Sequence, residues 1–130
     1  MSEPAFFISH FRVKEGKLDA VRQLTRDVAQ RLEAQKPRTV LFLSFLDEQG
    51  GVIHFLHAFP DAQSMDAHFE GSDERAGAAY ELVSPLGWEF YGRISDAALE
   101  TMREAADSSG ATLSVHPDYV AGFLRLVPAT

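Results

Sequence analysis

The chain has 130 residues, which fits one domain that buries roughly two-thirds of its unfolded surface and needs no metal or disulfide staple. It contains no cysteine, which excludes disulfides, thiolate metal sites and cysteine nucleophiles and fits a reducing, cytoplasmic setting. A net charge of −7, with no cluster of Lys or Arg against it, disfavours nucleic acid and anionic membrane as partners.

The opening MSEPAFFISHF places an acidic residue and a proline before a short apolar run, unlike a signal peptide. No apolar stretch approaches the roughly 20 residues that cross a bilayer. Ala5–Val13 alternates as a strand, with Phe7, Ser9, Phe11 and Val13 on one face and Phe6, Ile8, His10 and Arg12 on the other. Lys14–Lys17 is a charged turn around Gly16. Leu18, Val21, Leu24, Val28 and Leu32 then recur every three or four residues, predicting an amphipathic helix that ends before Pro37.

Thr39–Asp47 is predicted as the second strand, Glu48–Gly51 as a hairpin turn, and Val52–Phe59 as the third strand. Asp61 reads as the N-cap of a short helix through Phe69. Gly71-Ser72 breaks it. A second helical piece follows, with Asp73 as cap and Ala76, Ala79, Tyr80 and Val83 as its inner stripe. Pro85–Gly87 ends that piece, and Trp88–Ile94 is the fourth strand. The order β-α-β-β-α-β is the split βαβ, or ferredoxin-like, α+β unit, whose crossovers put both helices on one face of an antiparallel sheet.

This core spans residues 5–94 of a single domain covering 1–130. Residues 95–130 form an extension. Ser95 caps a helix carrying Leu99, Met102 and Ala106 that ends near Gly110. Ala111–Val115 and Tyr119–Val127 read as one or two short strands around a turn at His116-Pro117-Asp118, open to pairing with a partner subunit.

The stretch TVLFLSFL sets the expectation for assembly. Val40, Phe42 and Leu46 share one face, and Leu41, Leu43 and Phe45 share the other. Both faces are apolar, and the helices cover only one. A second copy of the chain is expected over the other.

The chain resembles the dimeric α/β-barrel superfamily, in particular the antibiotic-biosynthesis-monooxygenase-like family, over roughly Phe6–Ile94. The likeness rests on FRVKEGKLDAV at the start, on HAFPDAQSMDAHFEGS running from the third strand into an acidic helix, and on YELVSPLGWEFYGRI leading to the last strand. It implies a homodimer closed face to face into a barrel. Function in the family is diverse, so fold gives only a prior. Some members oxidise phenolic or quinol substrates with O₂ and no cofactor, some degrade haem, and many have no known activity. In the haem-degrading members an asparagine on the first strand, a tryptophan ending the third and a histidine on the next helix line a cleft. These positions fall on Ser9, Phe59 and His68. Only the histidine is kept, and the chain has no asparagine, which argues against haem degradation by that arrangement.

His68 follows Met65 by three residues, at the edge of an apolar stripe. It reads as a base or hydrogen-bond partner in the cleft, against the plainer reading of a packed helix-end histidine. His54 and His57 lie on opposite faces of their strand and cannot chelate one ion together. His57 is expected in the cleft with His68, and His54 is expected near His10 on the open face. A three-histidine metal site is geometrically open, but with no ligand spacing along the chain no metal is expected. Ser9, Phe11, Phe55, Phe59, Tyr80, Trp88 and Tyr91 are the candidates to wall a pocket for a small aromatic molecule, with core packing as the alternative for each aromatic. Arg12, Glu89 and Arg93 have the parity of the open face and are expected to pair across a dimer. No phosphate loop, nucleophile elbow or dinucleotide fingerprint is present, so no cofactor is expected. The leading expectation is a cofactor-free monooxygenase or related oxidoreductase acting on a small phenolic or quinol-like substrate, with His68 as base. The alternatives are a non-catalytic dimer that binds a small ligand or a protein partner, and a protein that binds haem through His68 without degrading it.

Overall fold

The computed structural model describes residues 3–125, without the side chains of residues 73–75. Alternating apolar residues build β1 (Ala5–Val13), β2 (Leu41–Asp47), β3 (Val52–Phe59) and β4 (Val83–Tyr91). The helices are α1 (Leu18–Gln35), α2 (Ala62–Phe69), α3 (Ser72–Ala79) and α4 (Asp96–Ser109), and a short β5 (Thr112–His116) follows. The sheet order is β2-β3-β1-β4-β5. Its first four strands are antiparallel, as the ferredoxin-like order predicts, and β5 adds in parallel to β4.

Register fixes what the helices cover. Phe7 stands between His57 on β3 and Phe90 on β4, and Ser9 stands between Phe55 and Trp88. Phe59, Phe90 and Met65 are fully buried on this side. The Phe7 ring stacks on His57 at 3.8 Å and on Phe90 at 5.0 Å. A second cluster, Val13, Val21, Ile53 and Val83, holds α1 to the far end of the sheet. On the opposite face Leu43 is 45% and Phe45 57% exposed, so the outer side of β2 has no cover within one chain.

Several local expectations are corrected. β4 starts at Val83 rather than Trp88 and ends at Tyr91 rather than Ile94. Pro85 is accommodated because β5 reaches only Gly87–Tyr91 and the β1 pairing shifts register beside it, so no ladder needs its missing N–H. Val83 is therefore a strand residue and not part of a helical stripe. α3 is entered through Gly71 at φ +78° as N-cap, in place of Asp73. β5 pairs with its own β4 because α4 is long enough to serve as a parallel crossover. Residues 119–125 form no strand, and 126–127 lie outside the described residues. Arg93 bonds Asp118 at 2.8 Å and Glu89 bonds His10 at 2.6 Å, so both find partners within the chain.

Gly92 turns the chain out of β4 at φ +103°, and a Cβ there would stand 2.7 Å from the Pro4 carbonyl oxygen. Gly92→Ala should cost about 1–3 kcal/mol of unfolding free energy, read by urea denaturation, from strain at the backbone and at that contact. A loss within experimental error would show that the turn relaxes freely.

Candidate functional site

The inner face of the sheet and the helices enclose a cleft of about 880 Å³. This is near the upper end for small-molecule sites. Its floor is Ser9, Phe11, Phe42, Phe55, His57 and Trp88, from four adjacent strands. Leu24, Val28 and Leu32 of α1 form one wall, and Met102 with Ala98 of α4 forms another. The cleft is thus apolar and aromatic with a few polar groups, which suits a flat, weakly polar ligand.

Of the residues predicted from sequence, Ser9, Phe11, Phe55, His57, His68, Tyr80 and Trp88 all line this cleft. Phe59 does not. It is completely buried behind His68, with ring centroids 5.2 Å apart, and belongs to the core. Tyr91 pairs with Phe6 on the outer face, and its hydroxyl donates to Glu89 at 2.9 Å. Strand parity excludes it from the cleft. Tyr80 sits at the rim, 41% exposed, and partial burial raises its phenol above the usual range.

His68 is 4% exposed, in the last turn of α2. Two features fix that helix. At its start the Asp61 carboxylate accepts from the Ser64 N–H at 2.7 Å and from the Ser64 hydroxyl at 2.6 Å. These bonds, helped by Arg38 at 3.2 Å, hold the Asp61 carboxyl below its usual range. At its end Lys36 Nζ donates to the Ala67 carbonyl at 2.8 Å, a cation where the helix dipole favours one. His68 Nδ1 lies 2.9 Å from Thr39 Oγ1. Its ring meets His57 edge-on at 5.1 Å. On its other side is a small cavity of about 170 Å³, lined also by Thr39, Lys36 and Arg38. His68 therefore borders both the large cleft and a smaller space lined by Lys36, Arg38 and Glu70.

The α1 wall and the α4 wall were not singled out as site residues by sequence reasoning. The apolar spacing of α1 reads equally as core. The Leu99/Met102/Ala106 stripe signalled that the extension has a face to bury, without showing where it docks. Ser95, the cap of α4, accepts from the Ala98 N–H at 3.1 Å and donates to Asp66 at 2.7 Å, which ties the extension to α2 beside the cleft. Among the described residues no group of three or more His, Asp or Glu is placed to hold a metal ion. No helix among them is long and apolar enough to cross a membrane.

No family model matches the sequence, and no curated protein matches it. Solved structures do match in fold. MupZ from Pseudomonas fluorescens superposes with a TM-score of 0.72 at 16% identity, covering 98% of this chain and all of that one. Two proteins each described as a "putative antibiotic biosynthesis monooxygenase" also match. The one from Caulobacter crescentus CB15 has a TM-score of 0.62 at 13% identity, over 72% of this chain and 92% of that one. The one from Deinococcus radiodurans has a TM-score of 0.60 at 19% identity, over 70% and 93%. The chain therefore has the ferredoxin-like fold of the antibiotic biosynthesis monooxygenase-like proteins. MupZ matches over nearly the whole chain, whereas the other two match less than three-quarters of it.

Proposed function

We propose that the chain is a cofactor-independent monooxygenase, or a closely related oxidoreductase, acting on a small phenolic or quinol-like molecule. The observation that carries this reading is His68, a nearly buried imidazole in the wall of a large aromatic cleft. The flat substrate lies over Phe11, Phe55 and Trp88. His68 takes the phenolic proton, and the Thr39 hydroxyl, which can donate or accept, supports the ring in both protonation states. The phenolate passes one electron to O₂. The resulting radical and superoxide combine at a ring carbon that carries hydrogen. The proton on His68 returns to the peroxide, and loss of water breaks the O–O bond. The balance is phenol plus O₂ giving quinone plus water, with all four electrons supplied by the substrate. The protein contributes orientation, a proton acceptor and exclusion of bulk water.

The test is oxygen uptake with a panel of phenols and hydroquinones. Substrate-dependent uptake is expected. Tight binding of such compounds with no uptake from any of them would replace the reading with a ligand-binding module.

The same proposal includes a homodimer, with a second copy over the outer sheet face. Leu43 and Phe45 are the most exposed apolar residues there, and the chain's own helices lie on the opposite side. Gel filtration should give the mass of two chains at micromolar concentration, and Phe45→Glu should shift the protein to one. A single-chain mass for the unaltered protein would remove the dimer.

A further inference from the structure

The outer face carries a chain of polar contacts that the proposed reaction does not use. His10 on β1 and His54 on β3 are directly opposed across the antiparallel pair, and their Nδ1 atoms approach to 2.7 Å. Each ring is anchored at its other nitrogen. His10 Nε2 lies 2.6 Å from the Glu89 carboxylate, and His54 Nε2 lies 2.7 Å from Asp47. Glu89 also accepts from the Tyr91 hydroxyl, and Tyr91 stacks on His116 at 4.9 Å.

Counting hydrogens shows what the pair requires. Each Nε2 faces a carboxylate and so carries the ring hydrogen. A neutral imidazole then presents a lone pair at Nδ1. Two such lone pairs aimed at each other over 2.7 Å repel unless one ring takes up a second proton or a metal cation joins them. A ring that ligates through one nitrogen and donates through the other to a carboxylate is the usual outer-shell arrangement of metal-bound histidine. Here it occurs twice, convergently.

We propose that His10 and His54 form a binding site for a divalent transition-metal ion that prefers nitrogen ligands, of the zinc, nickel or copper class. Two Nδ1 atoms at ordinary zinc–nitrogen lengths in a tetrahedron stand roughly 3.3 Å apart, so the rings need to part by well under an ångström. Both rings are about one-quarter exposed, which leaves the remaining coordination positions to water. The ion's charge balances Asp47 and Glu89. The site lies on the face assigned above to a second copy, but its ligands all come from one chain, so it does not depend on the dimer or on the proposed reaction.

The test is calorimetric titration of the whole protein with Zn²⁺ alone at pH 7.5. Saturable binding of one ion per chain is expected. It should be lost in His10→Ala and in His54→Ala, and weakened about 10- to 100-fold in Glu89→Gln, which loses the charged anchor. Because substitutions on a sheet can disturb folding, the unaltered protein supplies a second reading. The ¹⁵N resonances of His10 and His54 should move on adding Zn²⁺, while those of His57 and His68 stay. No saturation at millimolar Zn²⁺, binding that survives in the His10→Ala/His54→Ala double variant, or shifts confined to other histidines would overturn the site.

Discussion

His68→Ala should lower substrate-dependent oxygen uptake by about 100- to 10,000-fold, the range that a positioned proton acceptor contributes. The loss should fall mainly on kcat, because the cleft that holds the substrate is built by other residues, among them Phe11, Phe55 and Trp88. The pH profile gives a second check. A histidine accepts a proton only when neutral, so kcat/KM should rise from acid towards neutral pH and then level. The rising limb should disappear with the imidazole. Thr39→Val removes the hydroxyl 2.9 Å from Nδ1 and should displace that limb, while Thr39→Ser restores it. Uptake unchanged in His68→Ala would reassign the base, and the other histidine in the cleft, His57, would be the next residue to replace.

Phe90→Ala should have the largest effect on stability, a loss of about 3–5 kcal/mol in urea denaturation. Phe90 has no exposed surface. It stacks on Phe7 at 5.0 Å and meets Phe69 at 6.4 Å, where the sheet joins α2. It also opposes Val115 on β5, so the hole left by its ring borders the central strand, α2 and the extension together. Neighbours on three sides are held by backbone pairing or helix docking and cannot all close in. A loss below about 1 kcal/mol would mean that the layer collapses around the gap, contrary to close packing.

The strand faces were legible because period two is unambiguous when one face is mostly apolar. Phe7, Ser9 and Phe11 faced the helices as read, and that parity carried Ser9, Phe55, His57 and Trp88 to the cleft floor. His68 was legible from its spacing after Met65 and from the family pattern. The misreadings have physical causes. Pro85 reads as a breaker because a sequence does not show which strand edge lacks a neighbour. Phe59 and Tyr91 are aromatic like the residues that line the cleft, but depth and parity separate them from it. The α4 wall was hidden because docking of an added helix depends on the volume left by the core. Parity did place His54 near His10 on the open face, but the direct contact of their rings was hidden. Ligand spacing along a chain reveals partners on one element, whereas these two meet through a hairpin and a crossover, 44 residues apart.

The parallel docking of β5 has one more consequence. It occupies the hydrogen-bonding side of β4 from Gly87 to Tyr91. A chain cut short at Ile94 would bare that row of N–H and C=O groups and strip the apolar Leu113 and Val115 from beside Trp88 and Phe90. Such a fragment would retain every element of the ferredoxin-like unit, yet its raw margin would recruit strands from other molecules, and insoluble material is the outcome to expect on expression.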